Sequence, residues 1–168
     1  MIISLTGFMG CGKSSVGREL SQLLCCRFAD LDAVIEQRAG KSIPEIFNAC
    51  GEAGFRRMEK EALESVLSEE GQSVLALGGG AVTTPECESL IHDRTLCVYL
   101  RTSAEELTAR LTDEAAGRPM LQTPDSLQAR IIELMSQRSA IYERTAHLII
   151  DTDNKSIGTI AKEIAASI

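Results

Sequence analysis

An α/β fold, a parallel sheet of five strands flanked by helices on both faces, is predicted by three observations. Short apolar runs alternate along the chain with amphipathic stretches that carry helix-start signals. The first apolar run breaks directly into a glycine-rich loop closing on Lys-Ser, and a helical pattern follows. At 168 residues, with 44% hydrophobic and 24% charged residues, the chain suits one domain spanning 1–168 with a real core.

Taken in order, Ile2–Thr6 reads as the first strand and Ser15–Leu24 as an amphipathic helix after the loop. A weaker strand signal covers Arg27–Asp30. Residues 33–62 then give three helical pieces in a row: Ser42 with Glu45 forms a capping box, and Gly40 and Gly51 sit where helices would end. Ser73–Leu77 is the third strand and runs into Gly78-Gly79-Gly80. Thr84-Pro85 is an N-cap followed by proline at the first helical position. Leu96–Leu100 is the fourth strand, and Ser103 with Glu106 repeats the capping pattern. A polar, Gly- and Pro-containing stretch at residues 112–123 interrupts the helices, a long helix carries Arg138 near its end, and His147–Asp151 supplies the fifth strand. Alternation of this kind places ligands at the carboxyl ends of the strands, and insertions at that edge are where substrate caps and lids sit.

Gly7-Phe8-Met9-Gly10-Cys11-Gly12-Lys13-Ser14 fits the phosphate-binding pattern G-x-x-x-x-G-K-[ST] in its required strand–loop–helix context. Backbone N–H groups freed by glycine geometry curl around phosphate oxygens, and the following helix turns its positive end toward the same anion. Lys13 is expected to reach the outer phosphates and the Ser14 hydroxyl to ligate Mg²⁺. The chain is therefore predicted to bind a nucleoside triphosphate.

The acceptor should be described by residues beyond the loop. Asp30-Leu31-Asp32 ends the second strand, and strand alternation would put both carboxylates on one side. One could lean toward Mg²⁺ and the other accept hydrogen bonds, and a proton, from an alcohol; alternatively either one caps the helix beginning near Ala33. Arg56 and Glu59 lie one helical turn apart, so Glu59 can brace Arg56 as a two-pronged carboxylate clamp, or the two form a solvated surface pair of little consequence. Gly78-Gly79-Gly80 allows a ligand to approach the backbone closely. Arg118 is suited to stabilising charge on a transferring phosphate, and Arg138 is either a further clamp residue or a helix-terminal complement to the dipole.

The net charge of −7 argues against a nucleic-acid or anionic-membrane partner, and no run of about 18 apolar residues suggests a membrane span. The apolar start lacks a charged leader and enters the phosphate loop at once, so no signal peptide is expected. Six cysteines without metal-like spacing read as free thiols in a reducing cytoplasm, and His92 and His147 read as incidental.

Together Gly7–Ser15, Asp30-Leu31-Asp32, Gly54-Phe55-Arg56 with Glu59, Gly78-Gly79-Gly80, Arg118-Pro119 and Arg138 with Tyr142 resemble the shikimate kinase family in order and spacing across nearly the whole chain. The resemblance implies a nucleoside-monophosphate-kinase-like P-loop fold with a substrate-binding helical insert at about 32–62 and a lid at about 112–123. It implies transfer of the γ-phosphate of ATP to the 3-hydroxyl of shikimate, with Mg²⁺, in the chorismate route to aromatic amino acids. By the same resemblance ATP would meet Gly10, Cys11, Gly12, Lys13, Ser14, Ser15, Arg110 (against the adenine) and Arg118. Shikimate would meet Asp32, Arg56, Gly78, Gly79, Gly80 and Arg138, while Asp30 would act on Mg²⁺ through water; Lys13, Asp32 and Arg118 would carry catalysis. A monomer is expected, since no surplus amphipathic helix demands a partner. Gluconate or a nucleoside monophosphate are alternative acceptors; a silent nucleotide-binding regulator is the alternative from another class, and it predicts a damaged Lys13, Ser14 or Asp32, whereas all three are intact. Two departures from the family stand out: the segment Asp151–Ser156 has no proline, and Cys11 stands in the loop where alanine is usual. A thiol beside a helix N-terminus is expected to be oxidisable, with loss of activity.

Overall fold

Parallel pairing of five short strands builds the domain. The computed structural model describes residues 1–112 and 126–168. Strands β1 (Ile2–Thr6), β2 (Arg27–Asp30), β3 (Ser73–Ala76), β4 (Leu96–Arg101) and β5 (Leu148–Asp151) form one sheet in the order β2-β3-β1-β4-β5. All pairings are parallel, with Ile3 beside Val74 on one side and Leu96 on the other. The central strands β1 and β3 are buried along their whole length, whereas the edge strands β2 and β5 are partly exposed. This explains why β1 and β3 read as near-continuous apolar runs and β2 as a weak one.

Seven helices are described: α1 (Lys13–Leu23), α2 (Leu31–Ala39), α3 (Ile43–Leu67), α4 (Pro85–Arg94), α5 (Ala104–Leu111), α6 (Leu127–Thr145) and α7 (Ile157–Ser167). Crossovers from β1 to β2 and from β3 to β4 run in opposite directions along the sheet, so the right-handed rule sends their helices to opposite faces. Accordingly α1 packs on α7, while α4 packs on both α3 and α6 across the other face. Among the described residues no helix is long and apolar enough to cross a membrane.

The expected strand boundaries hold to within one or two residues, and the differences lie in the length of the insert's last helix, the place of Arg138 and the partner of the Ser103 cap. Gly51, at φ 67° and ψ −175°, divides α3 in two and completes the three helical pieces of the insert, the last running on to Leu67. Gly40 closes α2 in the left-handed conformation, with φ 66°. Arg138 lies well inside α6, which continues to Thr145, so it does not complement that helix's dipole. The Ser103 hydroxyl accepts from the Glu106 N–H at 3.3 Å as a capping box requires, but Asp153 at 3.0 Å, not Glu106, accepts the Ser103 N–H.

The reversal of strand order falls between β1 and β3, and the loops leaving these two strands lie side by side there. The Leu77 N–H extends the pairing by donating to the Leu5 carbonyl at 3.0 Å. Gly7, leaving β1 at φ 147°, packs so closely that a Cβ there would lie 2.7 Å from the Leu100 carbonyl of β4. Gly7→Ala should therefore destabilise the fold by about 1–3 kcal/mol, read as a melting temperature several degrees lower; an unchanged melt would show that the β1 exit is not so constrained.

Candidate active site

Two adjoining clefts open at the carboxyl edge of the sheet, with Met9, Asp32 and Gly79 lining both. The first, about 1100 Å³ counting the solvent at its open mouth, is built on the glycine-rich loop. Gly10 at φ 82° and Gly12 at φ 97° turn the loop through conformations open to glycine. The α1 N-cap is Gly12, which supplies no side-chain cap, so the first-turn N–H groups of α1 face the cleft mouth as donors for an anion. Lys13 Nζ lies inside the loop, donating to the carbonyls of Gly7 at 2.8 Å and Phe8 at 3.0 Å. Ser14 Oγ donates to Asp30 Oδ2 at 2.5 Å, and Ser15 lines the same cleft. A serine hydroxyl beside a carboxylate at the foot of a phosphate loop is a donor set suited to Mg²⁺, which keeps several waters and needs few protein oxygens. Among the described residues no cluster of three or more His, Cys, Asp and Glu offers a dedicated metal cage.

Arg110 reaches from α5 onto this loop: its Nη1 donates to the Gly10 carbonyl at 3.2 Å and its Nη2 to Glu106 at 2.9 Å. Cys11 is 1% exposed, and its sulfur would lie 2.8 Å from a Cβ at Gly7. Burial therefore shields the thiol that its place in the sequence suggested was open to oxidants.

The second cleft, about 780 Å³ counting the solvent at its open mouth, lies between the insert and the β3 exit. Here the reading of Asp30 and Asp32 as one face of a strand needs correction. The strand ends at Asp30, which is the N-cap of α2: its Oδ1 accepts from the N–H groups of Asp32 at 3.0 Å and Ala33 at 3.4 Å. The helix dipole rewards a carboxylate in that place, and Asp30 still presents Oδ2 to Ser14. Asp32 stands on the first turn of α2, where the two clefts meet.

Arg56 and Glu59, on the second half of α3, are not a solvated surface pair. Glu59 is fully buried, and Arg56 Nη1 donates to its Oε1 at 2.8 Å. The Arg56 guanidinium also lies 5.2 Å from the Phe55 ring centre. The glycines after β3 are shaped around these groups. A Cβ at Gly80 would sit 2.3 Å from Arg56 Nη2, and one at Gly78 2.9 Å from both Asp32 Oδ1 and Glu59 Oε2. A Cβ at Gly79 would be 3.1 Å from the Met9 nitrogen of the phosphate loop. Arg138 enters from α6 only 4% exposed, and its Nη1 has no hydrogen-bond partner. A buried guanidinium nitrogen without a partner is costly, and a carboxylate in the cleft is the group that offsets it. Arg118 and the stretch expected to form a lid lie outside the described residues but for Thr112.

Several cleft residues escaped the sequence reading. Glu36 lines the cleft and ties α2 to α3 by accepting the Ile43 N–H at 3.0 Å. Met9 and the Phe47–Phe55 pair, with ring centres 4.8 Å apart, form an apolar wall. No local pattern distinguishes these from core residues. His92 and His147, read as incidental, stack at 4.6 Å away from both clefts.

Burial raises the Glu59 carboxyl above the ordinary glutamate range, and Arg56 only partly opposes it.

Comparison with known proteins points to one family. A family model described as shikimate kinase matches residues 9–168. The chain is 43% identical over 162 residues to a shikimate kinase of Thermus thermophilus, covering 96% of this chain and 86% of that one. A shikimate kinase of Thioalkalivibrio sulfidiphilus is 45% identical over 163 residues, covering 97% and 84%. Among solved structures, the shikimate kinase of Acinetobacter baumannii in complex with shikimate matches with a TM-score of 0.94 at 36% identity, covering 99% of this chain and 91% of that one. The shikimate kinase of Aquifex aeolicus matches at 0.86 and 35% identity, covering 99% and 95%.

A raised folded pKa means the folded chain holds the Glu59 proton more tightly than the unfolded chain, so this stabilisation is present in acid and is lost as pH rises through the folded value. Glu59→Gln cannot ionise and should escape that loss. Its melting temperature relative to the parent protein should be higher at about pH 8 than at about pH 5; a difference that is flat or reversed between the two would contradict the assignment.

Proposed function

Since the chain belongs to the shikimate kinase family, we propose that its two clefts hold ATP and shikimate on either side of Asp32 and Gly79. The chain is an ATP-dependent kinase that transfers the γ-phosphate of ATP to the 3-hydroxyl of shikimate, giving shikimate 3-phosphate and ADP in the chorismate route to aromatic amino acids. The observation that carries the residue assignment is the buried, unpartnered Arg138 Nη1, placed in one cleft with Arg56 and Asp32. Shikimate is a carboxylate on a ring of hydroxyls, and this cleft offers two guanidinium groups for the first and a carboxylate for the second. A relative of the same fold is described in complex with shikimate.

In this reading Arg56 and Arg138 clamp the shikimate carboxylate. Glu59 holds Arg56 in place, and Gly78, Gly79 and Gly80 let the substrate approach the backbone. Asp32 accepts a hydrogen bond from the 3-hydroxyl, orients its oxygen toward the phosphate loop and takes its proton as the phosphoryl group moves. Backbone donors of Gly10, Cys11, Gly12 and the α1 N-terminus, with Lys13, Ser14 and Ser15, hold the ATP phosphates, and Arg110 stays against the nucleotide from the loop side. Mg²⁺ would be held by Ser14 directly and by Asp30 through water, and it would neutralise charge on the phosphates. Arg118 is assigned to the transferring phosphate by family resemblance alone. Catalysis then comes mainly from positioning and charge neutralisation. The six free cysteines fit a reducing cytoplasm, where the enzyme would act as a monomer.

The decisive assay is coupled ADP release with ATP and Mg²⁺, comparing shikimate, gluconate and no acceptor. Turnover on shikimate alone is expected; turnover on gluconate alone would overturn the acceptor assignment while leaving the nucleotide cleft in place. Asp32→Asn should lower kcat on the order of 100-fold or more and leave the KM for ATP within about twofold; equal losses in both would remove Asp32 from the chemistry. Arg56→Ala should raise the shikimate KM about 10- to 100-fold, and an unchanged KM would take Arg56 out of the clamp.

A further inference from the structure

Tyr142 has no place in the chemistry just described, yet it heads the largest fully buried side chains of the protein, only 1% exposed. It stands one turn after Arg138 on the same face of α6. Its ring packs against Tyr99 of β4 with centres 5.1 Å apart. Its hydroxyl donates to the Gly79 carbonyl, 63 residues away in sequence. Burial pushes the phenol far above its ordinary range, against the opposing influence of Arg138, so it remains a donor at any working pH.

The acceptor of that hydrogen bond is the middle member of three consecutive glycines. Without Cβ atoms such a strap has little intrinsic preference among backbone conformations, yet all three residues line the acceptor cleft and Gly79 also lines the nucleotide cleft. Because the peptide unit is planar and trans, holding the Gly79 oxygen also fixes the Gly80 N–H on its opposite edge. Gly80 in turn packs directly on the Arg56 guanidinium. The Gly78 carbonyl is held by the Ala81 N–H at 3.1 Å, and the Gly80 carbonyl by the Thr83 N–H at 3.0 Å and hydroxyl at 2.6 Å; the Tyr142 hydroxyl holds the remaining carbonyl, that of Gly79, from the helix that supplies Arg138.

We propose that Tyr142 is a positioning residue for the acceptor: its hydroxyl holds the Gly78–Gly80 strap in the shikimate-receiving conformation and registers it with Arg138. This role rests on the acceptor-cleft reading above and adds to it the element that organises that cleft before substrate arrives. Preorganisation of this kind shows in substrate affinity more than in the chemical step.

The test is Tyr142→Phe, which removes the hydroxyl and keeps the ring, measured beside the parent protein and Tyr99→Leu. Tyr99→Leu disturbs the same ring packing without touching Gly79. For Tyr142→Phe, the shikimate Kd by calorimetry and the shikimate KM should both rise about tenfold. The KM for ATP should stay within about twofold, and the melting temperature should fall less than in Tyr99→Leu. Tyr99→Leu should melt lower with the shikimate KM within about twofold of the parent. An unchanged shikimate Kd in Tyr142→Phe, a parallel rise in both KM values, a melting temperature below that of Tyr99→Leu, or an equal rise of shikimate KM in the two variants would make Tyr142 a packing residue and overturn the role. Failure of the parent protein itself to turn over shikimate would instead overturn the acceptor assignment on which the role depends.

Discussion

The parallel pairing of β1 with β3 is the constraint on which the site depends. Glycine follows each strand, at Gly7 after β1 and at Gly78–Gly80 after β3, and the register brings these exits to the same edge of the sheet, where a side chain on Gly79 would press on the Met9 nitrogen. Phosphate-binding and acceptor-binding backbone are therefore nearly in contact, with no side chain between them. Asp32, placed on the first turn of α2, faces both clefts at this junction. Transfer between two bound substrates requires such proximity, and here it follows from strand order and from the absence of Cβ atoms.

Around that junction the charges are arranged so that none is left wholly uncompensated except toward the cleft. Buried Glu59 is paired with half-buried Arg56, half-buried Asp30 accepts from Ser14, and Lys13 is buried against the carbonyls of its own loop. Arg138 retains an unpartnered nitrogen. Buried charges of this kind contribute little to stability. Their value lies in fixing where a carboxylate and a phosphate will bind, in a chain whose net charge of −7 would otherwise repel both.

Much of this was legible in the sequence. The phosphate loop, the five strands and the three helical pieces of the insert each carry a local signal: a glycine pattern, an apolar run, a capping serine or a terminating glycine. Local signals failed where a residue serves two roles. Asp30 was one half of an apparent strand pair, and it is a helix cap that also meets Ser14. Arg138 had the pattern of a helix-end residue, but its helix continues to Thr145. The capping box at Ser103 is completed by Asp153, fifty positions along the chain, a partner that no local spacing encodes.

What the sequence determined alone is the set of elements and the chemistry of the loop, because backbone geometry at glycine, helix capping and apolar periodicity act over a few residues. What only the tertiary structure decided is the acceptor cleft: that Glu59 is buried, that Gly80 packs on Arg56, that Phe47 and Phe55 form a wall, and that Tyr142 reaches Gly79. Those contacts join α2, α3, α6 and the β3 exit across the sheet edge. Whether a buried arginine is a clamp or a strut depends on what surrounds it after packing, and packing is a property of the whole chain.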